Sequence, residues 1–139
     1  MDIAKRWYER ARLSRDDYDR FIYAYIALNY LYAGERRNGE GERACAVRFA
    51  CEKCVVCQFD PFACDVSEYQ RSPVVDMLHT DRCYPVTNQR KGLFEAIYQV
   101  RCNLFHGNKC LGDPRDAKLV RQGADVLIGL LNGILKVVI

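Results

Sequence analysis

The chain has 139 residues, half of them apolar and 28% charged, and its 21 Lys and Arg against 18 Asp and Glu leave a net charge of +3. That length fits one ordinary domain that buries a core without needing disulfides or metal, and the mixture excludes a natively disordered chain. A charge this small also excludes a uniformly basic nucleic-acid binder, so any basic surface must be local.

The N-terminus MDIAKRWYER lacks the apolar stretch of a signal peptide, and no apolar run of roughly 18 residues suggests a membrane span, so a cytoplasmic protein without membrane contact is expected. Eight cysteines are many for that compartment, whose reducing conditions disfavour structural disulfides.

Asp2 is placed to cap a first helix through about Leu13, with Ile3, Trp7 and Ala11 recurring on one face. Ser14, with Asp17 three residues on, resembles a capping box in which Asp replaces Glu. It introduces YDRFIYAYIALNYLY, where Tyr18, Phe21 or Ile22, Tyr25, Leu28 or Asn29, and Tyr32 fall at helical spacing; Gly34 ends this helix and ERRNGEGE follows as a loop. A third helix runs from Glu42 to about Cys57 on Val47, Cys51 and Cys54 or Val55.

QFDPFACD reads as a loop because Pro61 breaks any continuing helix. Ser72 and Pro73 supply the cap and first position of a short helix through Leu78, and TDRCYPVTN returns to loop. Between about Gln89 and His106, Leu93, Ile97, Val100 and Leu104 trace one stripe that Phe94, Tyr98 and Phe105 widen; Gly107 and Asn108 suit its end. Asp113 and Pro114 start a last helix, with Asp116 in its first turn and Leu119, Val126, Leu130, Ile134 and Val137 as its stripe. That helix is nearly apolar all round, as central or interface helices are. The whole is an all-α fold of about five helices in a single domain over residues 1–139, with no internal repeat or linker.

Arg101 and His106 form an R-x4-H pattern inside VRCNLFHGNK. An arginine's planar fork matches two phosphate oxygens, and histidine is the side chain that exchanges protons near neutrality, so the pair suits phosphodiester chemistry. At 3.6 residues per turn, residues five apart are turned about 140° from each other, and one helix does not easily aim both at one point. A second copy of the motif completes the cluster. Lys109, Lys91, Arg90 and Arg82 are near in sequence and available as phosphate contacts; solvated surface charge is their plainer role. The spacing also occurs where an Arg and a His merely satisfy a helix end, and His79 has no partner motif. The aromatic residues of the second helix read as core, with base stacking as the other use of such rings.

Cys51, Cys54 and Cys57, flanked by Cys45, Cys64 and Cys83, raise zinc or an iron–sulfur cluster. No second C-x2-C pair follows at zinc-ribbon distance, and a regular helix splays the three sulfurs around its axis. Buried small hydrophobes are the other reading.

IYQVRCNLFHGNK, followed by DPRDAKLV and a long apolar helix, resembles the HEPN domains, and FIYAYIALNYLY is similar to the aromatic second helix that precedes their motif. The resemblance covers about residues 18–34 and 88–139. It implies an all-α bundle that pairs into a homodimer and, in catalytic members, cuts RNA without a metal ion or other cofactor at a cleft shared by two motifs. By position Arg101 and His106 are then the catalytic residues, with Asn103 as their polar neighbour; Cys102 stands where active relatives often carry Asn, Asp or His. The resemblance further implies a toxin or defence component with a neutralising antitoxin protein. The expected reaction is attack by the ribose 2′-hydroxyl, leaving a 2′,3′-cyclic phosphate. Two other readings stay open: a non-catalytic dimerisation or RNA-binding module of the same family, and a Cys-rich metal-binding structural protein.

Overall fold

The apolar C-terminal segment becomes the axis of a helical bundle. The computed structural model describes residues 2–106 and 113–138. In chain order its elements are α1 (Asp2–Leu13), α2 (Asp17–Tyr32), α3 (Glu42–Cys57), α4 (Ser67–Arg71), β1 (Val74–Val75), β2 (Cys83–Tyr84), α5 (Arg90–Phe105) and α6 (Pro114–Val138). Five of the helices are long and α4 is little more than one turn; 3-10 turns at Ala33–Glu35 and Pro61–Ala63 join neighbouring elements. The chain is mostly helical, and among the described residues no helix is long and apolar enough to cross a membrane.

α6 begins as expected, with the Asp113 carboxylate accepting from the backbone N–H of Arg115 at 2.8 Å. It lies along α2 and also meets α1, α3 and α4, so its wide apolar surface, including Leu119, Leu127, Leu130 and Leu131, is buried from several sides. Small residues permit the close approach. A Cβ on Gly123 would stand 2.6 Å from the Tyr69 hydroxyl and 2.8 Å from the Phe21 ring, and one on Gly129 would stand 2.8 Å from Phe59. Phe59 reaches that point because Gln58, capping α3, takes the left-handed conformation with φ 54° and ψ 41° and reverses the chain. Val137 was expected to extend the α6 stripe, and its side chain lies outside the described residues.

Two local expectations shift. On α1 the buried row is Ala4, Tyr8 and Ala11, whereas Ile3 is largely exposed and Trp7 packs on Tyr23 at the edge. The alanines let α1 approach its neighbours, and the Tyr8 hydroxyl donates to Asn132 of α6 at 3.0 Å. At the start of α2 the cap is Asp16, not Ser14: its carboxylate accepts from the Tyr18 N–H at 2.8 Å. A carboxylate serves there better than a hydroxyl because it also answers the positive end of the helix.

The segment from 58 to 90 departs furthest from the sequence reading. The short helix precedes Ser72 and Pro73 instead of following them. Proline excludes its predecessor from the helical region, and Ser72 is extended at φ −157° and ψ 145°. The β-branched pair beyond it then forms a minimal antiparallel ladder, Val74 opposite Tyr84 and Val75 opposite Cys83. The turn between the strands is organised by the Asp76 carboxylate, which accepts from the N–H groups of Leu78 and His79 at 3.0 and 3.2 Å. α4 is fastened to α6 by Gln122, which accepts from the Glu68 N–H at 2.9 Å, and by Arg115, whose Nε donates to the Glu68 carboxylate at 3.2 Å.

Candidate functional site

α5 carries Arg101, Asn103 and His106 in its last turns, and the three side chains meet different surroundings. Arg101 turns inward beneath the aromatic face of α2. Its guanidinium carbon lies 5.3 Å from the ring centre of Tyr25, 5.4 Å from Tyr98 and 4.6 Å from Phe105, so aromatic faces supply the electrostatic complement that water would otherwise give. A carboxylate oxygen of Glu42, at the start of α3, stands 3.6 Å from Nη2, and the Arg101 side chain keeps 20% of its exposure.

Behind this cation runs a chain of hydroxyls. Tyr32 donates to Glu42 Oε1 at 3.1 Å, and the Tyr32 and Tyr25 hydroxyls share a hydrogen bond of 2.9 Å. Burial raises both phenols above the usual tyrosine range, so they remain neutral. For Arg101, burial disfavours the charge, but the Cys102 sulfur and the oxygens of Tyr25, Tyr98 and Glu42 outweigh it and hold the guanidinium above the ordinary arginine value.

The donors of Arg101 are poorly used. Among the described residues Nη1 reaches only the Cys102 sulfur, at 3.8 Å, and Nε is buried with no hydrogen-bond partner. The contrast with other enclosed arginines is direct. Arg43 donates to the Glu95 carbonyl at 3.0 Å and Gln99 Oε1 at 2.6 Å. Arg48 donates to Glu40 at 2.9 Å and the Glu35 carbonyl at 2.8 Å, and Arg115 donates to the Ser72 carbonyl at 2.8 Å. A buried donor without an acceptor is costly, and such groups concentrate where a protein does something other than fold.

Asn103 is 1% exposed and fully engaged. Its Nδ2 donates to the Val75 carbonyl at 2.9 Å, while Oδ1 accepts from the Met77 N–H at 3.2 Å and from Gln99 Nε2 at 2.9 Å. Gln99 in turn accepts from Arg43, whose guanidinium lies 4.4 Å from the Tyr84 ring and 4.6 Å from Tyr98. Asn103 therefore pins the β1–β2 hairpin against the motif helix.

His106 is the exposed C-cap of α5, its backbone N–H donating to the Cys102 carbonyl at 3.0 Å. Lys109, Gly107 and Asn108 lie outside the described residues. Arg90 and Lys91 open α5, so a 16-residue helix, roughly 24 Å long, separates them from His106 within one chain. The geometry does not bring them to the Arg101 end. Arg82 is exposed on the hairpin.

The cysteines of α3 face three surroundings. Cys54 is buried in the core, where desolvation pushes its thiol up to about 12; Cys51 lines a groove toward α5; and Cys57 touches Gly133 of α6. All seven described cysteines are free thiols, and among the described residues no three His, Cys, Asp or Glu side chains are grouped to hold a metal ion.

Glu42, Arg43, Tyr98 and Gln99 escaped the sequence reading as site residues. The signal was present only as partner-poor polar residues on α3 and α5; their pairing depends on how those helices cross. No protein-family model, curated protein or solved structure matches this chain.

Proposed function

We propose that the chain is a metal-independent endoribonuclease of the HEPN type, acting as a homodimer whose two Arg101 and His106 pairs form one cleft. The observation that carries this reading is the Arg101 guanidinium, held by aromatic rings with the Glu42 carboxylate at 3.6 Å, and with a buried Nε that has no hydrogen-bond partner among the described residues. A phosphodiester supplies what it lacks. With the fork preset, the cation stabilises the charge that builds on phosphorus without reorganising. His106, exposed at the helix end, carries the proton to the leaving 5′-oxygen or from the 2′-hydroxyl.

The pairing of two copies is supported by what surrounds the motif. Phe105, Met77 and Leu78 are 48%, 41% and 56% exposed, and the Met77 backbone is bonded to Asn103, so apolar side chains stand beside the catalytic pair. Burying them against a partner removes apolar surface from water. The role as a toxin or defence component held in check by an antitoxin protein, with Arg90, Lys91 and Lys109 contacting RNA, belongs to the same proposal.

Cys102 favours a second reading. Its sulfur, a weak acceptor, is the only hydrogen-bond partner of Arg101 among the described residues, which fits a HEPN module that binds or dimerises without cutting. Sizing the protein in solution and identifying product ends separates the two. Dimers that leave 2′,3′-cyclic phosphate ends support the nuclease, whereas dimers that bind RNA and leave it intact support the module. Products bearing only 5′-phosphates contradict the mechanism.

A further inference from the structure

We infer that Glu42 is a specificity-determining residue of the Arg101 site: its charge weakens the hold on dianionic phosphomonoesters more than on the singly charged phosphodiester. The inference rests on the reading of Arg101 as the phosphate contact. Its starting point is a pair that stands apart. The Glu42 carboxylate oxygen lies 3.6 Å from Nη2, outside hydrogen-bond distance, whereas Arg48 meets Glu40 at 2.9 Å, Arg20 meets Asp125 at 2.6 Å and Arg115 meets Glu68 at 3.2 Å. Those three pairs are closed and tie elements together. Glu42 instead leaves the fork open while its negative charge stays beside it.

Glu42 is held in place by more than its attraction to Arg101. It is the first residue of α3, whose Gly41 cap offers no side-chain hydrogen bond, and a carboxylate there answers the positive end of the helix. Its Oε1 accepts from the Tyr32 hydroxyl at 3.1 Å. Tyr32 is buried and shares a hydrogen bond with Tyr25, so the carboxylate is tied to the same aromatic wall that carries the guanidinium. Swinging it aside to admit a ligand breaks that bond. The negative charge is therefore a built part of the site.

A phosphate oxygen bonded to Nη2 sits about 3 Å from that nitrogen, and so less than about 7 Å from the carboxylate oxygen. That separation is inside the screening length of about 8 Å at physiological salt, and the repulsion acts in full view of the ligand. It scales with the ligand's charge. A phosphodiester carries one negative charge and a monoester about two at neutral pH, so the carboxylate opposes the monoester about twice as strongly. The attraction of Arg101 grows in the same proportion, and Glu42 takes part of that growth away. The planar fork grips two oxygens of either ligand, so what remains is selection by shape. Arg43 shares the Tyr98 ring with Arg101 but gives its donors to the Glu95 carbonyl and Gln99. Terminal phosphates and free monoesters are thereby disfavoured at the fork relative to an internal linkage.

The test titrates the full chain with two probes that lack a 2′-hydroxyl and resist cleavage, thymidylyl-thymidine as the diester and thymidine 3′-phosphate as the monoester, at about pH 7.5, where the monoester is largely dianionic. Glu42→Gln keeps an acceptor for the Tyr32 hydroxyl and removes the charge. It is expected to tighten the monoester about tenfold and the diester about threefold, a change in their ratio that a merely structural Glu42 does not produce. Glu42→Asp keeps the charge and is expected to keep the wild-type ratio within about twofold. Arg101→Ala binds neither probe, and adding Glu42→Gln to it restores nothing. Equal changes for the two probes, no change for either, or tightening that persists without Arg101 overturns the inference. RNA cleavage in EDTA is followed alongside. Cleavage with an unmoved ratio overturns the charge selection alone, whereas a moved ratio without cleavage supports it and removes the nuclease reading instead.

Discussion

The guanidinium carbon of Arg101 lies 4.6 Å from the ring centre of Phe105, four residues further along the same helix. Phe105 is itself half-exposed, so the ring steadies the cation from the side that faces outward, while Tyr25 and Tyr98 hold it from within. The arginine is thus fixed in direction by neighbours that take none of its hydrogen bonds. An amide or carboxylate in their place would hold it as firmly and also occupy its donors.

On the proposed nuclease reading, the fork and not the charge alone is the functional element. Arg101→Lys keeps a cation in the same cage but loses the planar pair of donors. It is expected to lower RNA cleavage by about 100-fold, the cost of a lost transition-state donor, while the melting temperature scarcely moves. Steady-state cleavage beside a thermal melt checks both halves. Wild-type activity in the lysine variant would reduce Arg101 to a structural cation.

Asn103 is expected to behave oppositely. Leucine at this position removes one acceptor and one donor and leaves the Val75 carbonyl, the Met77 N–H and the Gln99 amide without their partner. The loss should reach about 3 kcal/mol, the penalty of stranding buried polar groups, and urea unfolding measures it. Unchanged stability with abolished cleavage would instead make Asn103 a catalytic residue.

How much of this was legible in the sequence follows the range of the interactions. The long helices were readable because their apolar periods and caps are local: α3 runs from Glu42 to Cys57 and α5 from Arg90 to Phe105, close to the spacing prediction. The α1 face was misplaced by one residue at Ile3 and Trp7, which outweigh Ala4 and Tyr8 in hydrophobicity, whereas packing buried Ala4 and Tyr8 together with the expected Ala11. The Val74–Val75 ladder depends on a partner strand, and periodicity over two residues says nothing. The site was half legible. The motif named Arg101 and His106, but the Tyr25, Tyr98 and Glu42 surroundings, and the use of Asn103 as a hairpin anchor, arise only when α2, α3 and α5 meet.

Acid stability has an identifiable source in the loop just before α3. Glu40 accepts from Arg48 at 2.9 Å and from the Arg37 N–H at 3.1 Å, and these bonds, Arg48 first, lower its carboxyl from 4.5 to about 2. A carboxyl depressed in the folded chain stabilises it above the ordinary carboxylate range, and that contribution is lost as pH falls from there toward the folded value. The melting temperatures of wild type and Glu40→Gln should therefore differ at pH 7 and converge as pH falls through 4.5 toward 2. A gap that stays constant would contradict the assignment.

Gly123 tests the packing of the axis. In an exposed helix, alanine in place of glycine gains about 1 kcal/mol of propensity. Here the new Cβ would stand 2.6 Å from the Tyr69 hydroxyl, which is fixed by its bond to the Leu119 carbonyl at 2.7 Å. The clash should win, and Gly123→Ala should be destabilised by about 1–3 kcal/mol; a stabilised variant would mean that α6 and α4 stand further apart.

The central claim is that Arg101 and His106 cut RNA without metal, and it is tested most directly by incubating a mixed RNA substrate with wild type, Arg101→Ala and His106→Ala in EDTA. Cleavage by the wild type, lost in both variants while each remains folded and dimeric, is the predicted result. Intact RNA with all three proteins, or equal cleavage by all three, would contradict it.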